Sequence, residues 1–480
     1  MFPMAAHVWP KQGNIVSDSS FSSLALPQAL LSNLASLGYH EMSPVQAESL
    51  PPMLAGRDVL AQAKTGSGKT AAFGLALLAK LKVESFAVQG LVLCPTRELA
   101  DQVAEELRRL ARGMANIKIL TLCGGAPFGP QLGSLEHGAH IVVGTPGRID
   151  EHLRKGSLIL DSLSILVLDE ADRMLDMGFQ ATIDDIIADT PTDRQTLLFS
   201  ATFPDEQSSG GLTVMTRGVM REPVMVKIAE VHDATTIQQH FYSVADEDAR
   251  FDALRQLLLV YRPATSVVFC NTKRETQAVA EQLMDAGFSA VALNGDLEQK
   301  DRDRILVLFA NQSASILVAT DVAARGLDIA QLDAVFNYQI ARELDVHVHR
   351  VGRTGRAGAS GIACTLVTPK ESYRLERLEG LLEQPIATEP LPKPQHSVPF
   401  EPLMATLQLA GGKKDKLRPG DILGALTSEG GLRGNQVGKI KVLARSAYVA
   451  VERDVVQQAQ AKLERDKLKG RAFRVRRIRY

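Results

Sequence analysis

The sequence has few cysteines, and none of them lies close to another. Cys94, Cys123, Cys270 and Cys364 stand singly along the chain, without a CxxC pair. This spacing argues against a zinc site and against a disulfide framework, and it suits a reducing compartment. We expect all four to be ordinary core residues.

Long apolar segments and a leader are also missing. The chain has no window of about eighteen uninterrupted apolar residues, the length that a membrane-spanning helix requires. Its start, MFPMAAHVWPKQGNIVSDSS, lacks the charged-then-apolar order of a signal peptide. These absences predict a soluble, cytoplasmic protein that does not act at a membrane.

The net charge is close to zero, −1 at pH 7, but the charges are unevenly distributed. The segment from Leu403 to Tyr480 contains 18 basic and seven acidic residues, a net charge of +11, which leaves −12 on the remainder. A basic end on an acidic body is typical of a dedicated nucleic-acid-binding segment.

Two series of short apolar runs alternate with helical patterns, and this alternation predicts βα units around buried parallel sheets. With 480 residues, 45% of them hydrophobic, the chain is long enough for two to four domains with separate cores. Six prolines crowd into residues 385–402, as in an extended linker. We therefore predict an α/β fold with the following parts: a flexible tail (1–20), lobe 1 (21–230), lobe 2 (237–384), a Pro-rich linker (385–402) and a small basic domain (403–480).

The strongest chemical signal is AKTGSGKT, residues 63–70, between a strand-like run and a helical one. Its small residues let backbone N–H groups surround phosphate oxygens, Lys69 reaches the β and γ phosphates, and Thr70 offers a hydroxyl to Mg²⁺. A glycine-rich turn that matches by accident is the alternative. The phosphate-binding segment predicted here comprises Ala63, Lys64, Thr65, Gly66, Ser67, Gly68, Lys69 and Thr70.

An acidic cluster ends the apolar run ILVLDEAD about a hundred residues later. Asp169 can hold Mg²⁺ there, and Glu170 can polarise an attacking water. Alone, such a pair at a strand end would be a solvated helix start. Together with the phosphate loop it favours ATP hydrolysis.

A third cluster is the arginine-rich run HRVGRTGRAG, residues 349–358. Arg350, Arg353 and Arg356 are spaced so that they share a helical face, and guanidinium groups delivered to a γ-phosphate act as arginine fingers. We assign that catalytic role to Arg353 and Arg356. A basic surface turn or a phosphate-backbone contact is the alternative.

These residues resemble the DEAD-box RNA helicases over residues 21–370. The motifs stand in that family's order: Phe21, GYHEMSPVQ, AKTGSGKT, PTRELA, the Gly124 and Gly125 pair, TPGR, DEAD, SAT, VVFCNT, ATDVAARGLDI and HRVGRTGR. The resemblance implies two RecA-like lobes that bind ATP and RNA. It also implies that Phe21 stacks on adenine and that Gln46 hydrogen-bonds to it, although Phe21 alone would be an ordinary core aromatic.

The resemblance implies further site residues. Asp328 is expected near the ribose or the finger arginines, and Asn271 belongs to the strand-binding groove. The RNA contacts implied are Thr96, Arg97, Gly125, Thr145, Arg148, Thr272, Thr320, Arg325 and Gly326. Hydrolysis would be coupled to strand separation through Ser200, Thr202, Asp172 and His349, and a buried, merely structural SAT is the alternative for the first two.

One segment departs from the family's pattern. After SAT the family has a regular helix, whereas this chain has FPDEQSSGGLTVMTRG, in which SSGG disfavours a helix. The local structure over 205–220 therefore stays open.

The C-terminal segment resembles the RNA-binding domain of the DbpA branch, whose members are directed to a hairpin of large-subunit ribosomal RNA. Its pattern of two strands with a turn, a helix and a last strand is compatible with a small RRM-like domain, although the aromatic RNP signature is absent. RNA recognition would then depend on basic residues, with Tyr448 as a stacking candidate. The basic candidates are Lys413, Lys414, Lys416, Arg418, Lys439, Lys441, Arg474 and Arg476. A generic basic tail is the alternative.

The motifs thus favour an RNA-dependent ATPase that uses ATP and Mg²⁺ and separates short duplexes. The resemblance of the C-terminal segment implies that it acts during large-subunit assembly with 23S ribosomal RNA as partner, and we expect a monomer. An RNA clamp timed by ATP is the rival from another class, and it predicts hydrolysis without strand separation. A processive DNA translocase is disfavoured by the DEAD and SAT motifs.

Overall fold

A computed structural model of the chain describes residues 19–62, 66–200, 215–216, 218–228, 237–324, 332–355, 360–382 and 384–478. The chain divides near residue 231 into two compact units. The first unit contains lobe 1, and the second contains lobe 2 and the C-terminal domain. Within the described ranges no helix is both long and apolar enough to cross a membrane.

Lobe 1 is built on a seven-stranded parallel sheet with the strand order β3-β4-β2-β5-β6-β1-β7. The strands are β1 (Val59–Gln62), β2 (Gly90–Leu93), β3 (Ile119–Leu122), β4 (Ile141–Gly144), β5 (Ile165–Asp169), β6 (Gln195–Ser200) and β7 (Val224–Lys227). The helices are α1 (Gln28–Ser36), α2 (Pro44–Leu54), α3 (Lys69–Lys80), α4 (Arg97–Leu110), α5 (Phe128–Leu135), α6 (Pro146–Arg154), α7 (Ala171–Asp176) and α8 (Gln180–Ala188).

The central strands of lobe 1 are buried along their whole length. Strands β2, β4, β5 and β6 have no exposed residue, because helices cover both faces of the sheet. Two clusters of buried side chains, one on each face, form the core. The sequence prediction of a buried parallel sheet is confirmed here.

Lobe 2 repeats the architecture with a second seven-stranded parallel sheet of order β10-β11-β9-β12-β13-β8-β14. The strands are β8 (Ile237–Ser243), β9 (Ser266–Phe269), β10 (Ala290–Leu293), β11 (Ile316–Ala319), β12 (Ala334–Asn337), β13 (Gly361–Val367) and β14 (Thr388–Glu389). The helices are α9 (Arg250–Tyr261), α10 (Lys273–Asp285), α11 (Gln299–Ala310), α12 (Asp321–Ala324), α13 (Leu344–Val351) and α14 (Ser372–Leu382).

The C-terminal domain is a four-stranded antiparallel sheet of order β16-β17-β15-β18 with two helices on one face. Its elements are β15 (Met404–Leu409), α15 (Pro419–Thr427), β16 (Val437–Val442), β17 (Ala447–Glu452), α16 (Val456–Arg465) and β18 (Val475–Ile478). The predicted strand pair, helix and last strand are confirmed, as is the fold class of two RecA-like lobes followed by an RRM-like domain.

The proline-rich segment lies along lobe 2. Its residues 388–389 form the edge strand β14, and Phe400 packs edge-on against Phe288 with ring centroids 5.8 Å apart. Beyond it, the buried Thr406 hydroxyl bonds to Ser313 Oγ at 2.6 Å and accepts from Asn311 Nδ2 at 3.1 Å. Lobe 2 and the C-terminal domain are therefore in direct polar contact.

Two predicted segments fall largely outside the described residues. The tail, 1–20, is described only from residue 19, and in the segment 205–220 residues 205–214 and 217 lie outside the description. In the remainder, residues 215–216 and 218–219 are helical, and Met215 and Met220 are buried in the core of lobe 1.

Candidate nucleotide and RNA sites

The strand order of lobe 1 separates two groups of predicted site residues at one sheet edge. The phosphate-loop lysine follows β1, while Ser200 and Asp169 end the neighbouring strands β6 and β5. Thr96 and Thr145 follow β2 and β4, on the other side of β5. Since all strands are parallel, these ends lie at the same edge of the sheet. Strand β5 therefore stands between the predicted nucleotide half and the predicted RNA half of the edge.

The phosphate loop is held from behind by the start of α2. Gln46 is 3% exposed, donates through Nε2 to the Gly68 carbonyl at 3.0 Å and accepts from the Ser43 N–H at 2.9 Å. Ser43 Oγ donates to the Ser67 carbonyl at 2.8 Å. The Ser43 hydroxyl thus holds the phosphate loop directly.

Position 68 has no room for a side chain, so it requires glycine. Its φ is +94°, and a Cβ would lie 2.6 Å from Gln46 Nε2. The residue leads into α3, whose N-terminal N–H groups and dipole favour a phosphate. Thr70 is half-buried in the first turn of α3 beside Lys69.

The lysine of this loop is paired with the acidic cluster. Lys69 Nζ lies 3.0 Å from Asp169 Oδ1 and 3.8 Å from Glu170 Oε1, and all three side chains are buried. Burial acts to lower the pKa of Lys69, but the charges of Asp169 and Glu170 outweigh it and raise that pKa. Burial raises the pKa of Asp169. One cation and two carboxylates are therefore gathered beside the predicted phosphate loop.

Glu170 is oriented by an unusual backbone conformation. Its φ of 55° lies in the left-handed region, which costs a non-glycine residue on the order of 1 kcal/mol. Arg173 Nη1 lies 3.4 Å from Glu170 Oε2. The turn places two consecutive carboxylates on the loop side of β5, which regular helical geometry would not do.

The donor set suits a magnesium ion. No cluster of three His, Cys, Asp or Glu residues that could bind a metal by itself occurs within the described ranges. Apart from the ion pair with Lys69, the two buried carboxylate oxygens of Asp169 lack a hydrogen-bond partner in this part of the chain. Mg²⁺ takes few protein oxygens and keeps waters and substrate phosphates as further ligands, so Asp169 and Thr70 fit this ion.

Phe21 lies in the core of lobe 1. It is 3% exposed and packs edge-on against Tyr39, with ring centroids 6.3 Å apart. This placement agrees with the core-aromatic alternative and leaves its predicted adenine stacking untested.

Several predicted site residues lie outside the described residues, and their roles stay predictions: Ala63, Lys64, Thr65, Thr202, Arg325, Gly326, Asp328 and Arg356.

The four predicted RNA-binding threonines share one structural position. Thr96, Thr145 and Thr272 are the N-cap residues of α4, α6 and α10, and Thr320 Oγ1 accepts from the Ala323 N–H at 3.3 Å at the start of α12. Each follows a strand, β2, β4, β9 or β11. Helix N-termini at parallel strand ends bind phosphate through N–H groups regardless of base.

Arg148, in α6, holds the loop before α5 on the predicted RNA face of lobe 1. Its guanidinium donates to the Ala126 carbonyl at 3.0 Å and to Gln131 Oε1 at 2.7 Å, and it lies 3.0 Å from Glu151. The loop so held contains the exposed Gly125, whose φ is +74°. Arg97, by contrast, is partly exposed and makes a loose ion pair with Asp101 at 3.8 Å. Arg148 therefore shapes the loop, whereas Arg97 can reach a strand.

In lobe 2, Arg350 is a structural centre that its motif alone did not reveal. It is 1% exposed, and its Nε and Nη2 donate to the two Asp321 oxygens at 2.6 and 2.8 Å. It also donates to the Gln339 carbonyl and to Asn271 Oδ1, both at 2.8 Å. A fully engaged guanidinium cannot reach a phosphate, so within this motif only Arg353 and Arg356 remain finger candidates.

The predicted coupling residues occupy different environments. Ser200 is fully buried at the end of β6, next to the acidic end of β5. Asp172 caps its own turn by accepting from the Arg173 N–H at 3.0 Å. His349 is half-buried in α13, and Arg353 is 6% exposed just beyond that helix.

The basic candidates of the C-terminal domain form two exposed groups. Lys441 and Arg476 stand in one row across the sheet with Gln408 and Tyr448. Lys413, Lys414, Lys416 and Arg418 belong to the turn before α15, while Lys439 and Arg474 are exposed at the strands. Tyr448 is only 7% exposed, and its hydroxyl accepts from Gln408. The expectation that its ring stacks on a base is therefore not supported by the structure, because packing covers the ring.

Comparisons with known proteins agree with this geometry. Three family models match the chain: DEAD/DEAH box helicase over residues 43–209, helicase conserved C-terminal domain over 249–358, and DbpA RNA binding domain over 406–477. The ATP-dependent RNA helicase DbpA of Escherichia coli (strain K12) is 52% identical over 459 residues, 95% of this chain and 99% of that protein.

Two further relatives share the lobes. A DEAD-box ATP-dependent RNA helicase CshA of Bacillus cereus is 43% identical over 75% of this chain and 68% of its own length. The structure of S. cerevisiae Dbp5 bound to RNA and ADP BeF3 matches with a TM-score of 0.69 at 29% identity, covering 78% of this chain and 96% of that one.

Proposed function

Since this chain belongs to the DbpA branch of the DEAD-box ATP-dependent RNA helicases, we propose that it unwinds short RNA duplexes during large ribosomal subunit assembly. Its C-terminal domain would direct it to a hairpin of 23S ribosomal RNA. We further propose that it acts as a monomer in the cytoplasm.

The nucleotide half of lobe 1 supports the catalytic part of this proposal. Lys69 would exchange its bond to Asp169 for the β and γ phosphates of ATP, while Gln46 holds the loop in shape. Glu170 would orient the attacking water and accept its proton. A bound Mg²⁺ would supply charge neutralisation at the phosphates, with Asp169 and Thr70 as its protein ligands.

The threonine-capped helix starts support a sequence-independent grip on one RNA strand. Four such starts, at Thr96, Thr145, Thr272 and Thr320, provide N–H groups for backbone phosphates. Closure of the lobes around ATP and RNA would bring Arg353 and Arg356 to the γ-phosphate and bend the strand out of its duplex. Hydrolysis would then release it.

The observation that carries the ribosomal assignment is the basic C-terminal domain. Residues 403–480 have a net charge of +11, and all eight basic candidates are exposed. In the turn before α15 three lysines, Lys413, Lys414 and Lys416, lie within four residues. Phosphate contacts alone would not select a hairpin, so the selection requires base contacts by this domain.

The test compares ATPase stimulation by a 23S fragment that contains the hairpin with stimulation by an unrelated RNA. The full chain is compared with a version that ends at Glu401, which retains the packing of Phe400 on lobe 2. We expect only the full chain to prefer the ribosomal fragment. Equal stimulation of the full chain by both RNAs would contradict the ribosomal assignment.

Two further controls sharpen this test. A K413A/K414A/K416A variant should weaken stimulation by both RNAs, whereas the corresponding lysine-to-arginine variant should keep it, because it retains the positive charge that binds phosphates regardless of sequence. A short-duplex assay then separates unwinding from clamping: RNA-stimulated hydrolysis without strand separation would favour the clamp.

A further inference from the structure

We propose that Gln339 and Glu275 are positioning residues that connect RNA binding on lobe 2 to the arginine finger Arg353. The inference rests on the proposed function, because it takes Thr272 as an RNA contact and Arg353 as a γ-phosphate ligand. Both residues lie outside the motifs described above.

The RNA end of this connection is the start of α10. Thr272 Oγ1 donates to Glu275 Oε2 at 2.7 Å and accepts from the Glu275 N–H at 3.2 Å. The Glu275 carboxylate therefore stands at the helix N-terminus, where a phosphate would also bind. An arriving phosphate repels this carboxylate and competes for the Thr272 hydroxyl. RNA binding thus perturbs Glu275 directly.

Gln339 is the link behind Glu275. Its Nε2 donates to Glu275 Oε1 at 2.6 Å, and its Oε1 accepts from the Asn271 N–H at 3.2 Å. The Gln339 amide has a donor and an acceptor group and so satisfies both partners at once. Gln339 follows β12, and Asn271 lies just beyond the neighbouring strand β9, so the bond joins the ends of two adjacent strands.

The nucleotide end is reached through Arg350. The Gln339 carbonyl accepts from Arg350 Nη1 at 2.8 Å, and Asn271 Oδ1 accepts from Arg350 Nη2 at the same distance. Arg350 lies in the last turn of α13, and its carbonyl accepts from the Arg353 N–H at 3.1 Å. Because the Arg350 guanidinium is fully buried, it cannot give up a partner cheaply. A displacement of Gln339 is therefore passed to the segment that carries Arg353.

The chain offers a charge-swap test. In Q339E two carboxylates face each other, so we expect the ratio of RNA-stimulated to RNA-free ATPase to fall about tenfold. In Q339E/E275Q the hydrogen bonds are restored with donor and acceptor exchanged. The amide introduced at position 275 would donate to the carboxylate introduced at position 339, while the carbonyl oxygen of that amide accepts from Thr272. We expect the double variant to recover to within about threefold of wild type.

Q277E is the matched control. Gln277 donates to Glu281 at 2.7 Å on the exposed side of the same helix. Q277E therefore also brings two carboxylates face to face, but at a place that is not part of the proposed connection. We expect a wild-type ratio from it. A merely structural role for Gln339 would lower thermal stability without changing the ratio, so the melting temperature is measured beside it.

Each outcome decides the inference. A wild-type ratio of RNA-stimulated to RNA-free ATPase in Q339E overturns the inference. So does a fall of this ratio in Q339E that the double variant Q339E/E275Q does not reverse. Should Q339E fail to fold, E275Q alone serves: it leaves either Thr272 or Gln339 without an acceptor, and an unchanged ratio would refute the connection. A wild-type chain that RNA does not stimulate would instead count against the proposed function.

Discussion

The ammonium of Lys69 lies 3.0 Å from Oδ1 of Asp169, and both side chains are almost completely buried. The phosphate-loop cation and the metal-binding carboxylate of the proposed mechanism thus neutralise each other across the ends of β1 and β5. In the proposed mechanism ATP exchanges this ion pair for contacts to its own phosphates and metal. Removal of one partner without a replacement would leave an uncompensated buried charge.

Lys69→Ala should abolish both nucleotide affinity and turnover, with a loss of turnover of at least about a hundredfold, because charge stabilisation at the phosphates is lost. Glu170→Gln should separate the two properties, since its amide keeps the shape but cannot accept the water's proton. It should bind ATP and fail to hydrolyse it. Fluorescent-nucleotide binding and steady-state ATPase measure the difference.

Lys82→Ala is the control for the charge lost from Lys69, because Lys82 is exposed beyond the end of α3. It should behave as wild type. Normal RNA-stimulated turnover in either K69A or E170Q would refute the catalytic assignment.

Gln46→Ala should raise the KM for ATP about tenfold and change kcat less. The variant removes the bond to the Gly68 carbonyl and the bond from the Ser43 N–H, each worth on the order of 1 kcal/mol. Titrating ATP at saturating RNA gives both constants. Glu48 is exposed on the same helix, so Glu48→Ala should leave both constants unchanged. An equal effect of both variants would count against the role of Gln46 in holding the phosphate loop.

Arg148→Ala should raise the RNA concentration that half-saturates the ATPase by roughly tenfold while leaving the KM for ATP unchanged. Without its bonds to Ala126 and Gln131, the Gly125 loop is no longer held for RNA. Arg154→Ala is matched to it, because Arg154 lies on the same helix and pairs with the i−4 residue Asp150 at the surface. A shift in the KM for ATP would argue that Arg148 serves the nucleotide instead.

His347 should make lobe 2 sensitive to acid. It is 1% exposed in α13, stacks near Phe241, and neither ring nitrogen has a hydrogen-bond partner among the described residues. Burial, and then the charge of Arg350, lower its pKa to about 4, against a weaker opposing effect of Asp321. In the unfolded chain it titrates near its ordinary 6.5.

The direction of this pH dependence of stability follows from proton binding. Between these two pKa values the unfolded chain binds the proton and the folded lobe does not, so stability falls as the pH falls through this window. Between pH 7 and pH 5 the loss attributable to His347 should be about 2 kcal/mol. Urea denaturation at both pH values measures it. His347→Phe should be less sensitive to acid by that amount, and an identical pH dependence in both proteins would refute the assignment.

Much of the nucleotide site was predictable from the sequence, because its residues are contiguous. AKTGSGKT and DEAD combine a strand, a turn and a set of side chains in one short segment, and local backbone rules bring them to a strand end. The threonine N-caps were predictable in the same way, since each follows an apolar run and precedes a helix. The two parallel sheets and the small basic domain followed from periodicity and charge.

The tertiary structure alone decided which polar groups meet across strands. Arg350 resembles its neighbours in the motif, yet it is buried on Asp321. Gln339 bonds to Glu275 and Asn271, which lie 64 and 68 residues before it in the chain. Tyr448 was a plausible stacking residue by sequence, but packing covers its ring. Such pairings depend on strand order and on burial, and burial is a property of the assembled core that no local pattern encodes. The sequence by itself therefore determined the chemistry that each motif can perform, and the fold decided which side chains are exposed to ligands and which hold the others in place.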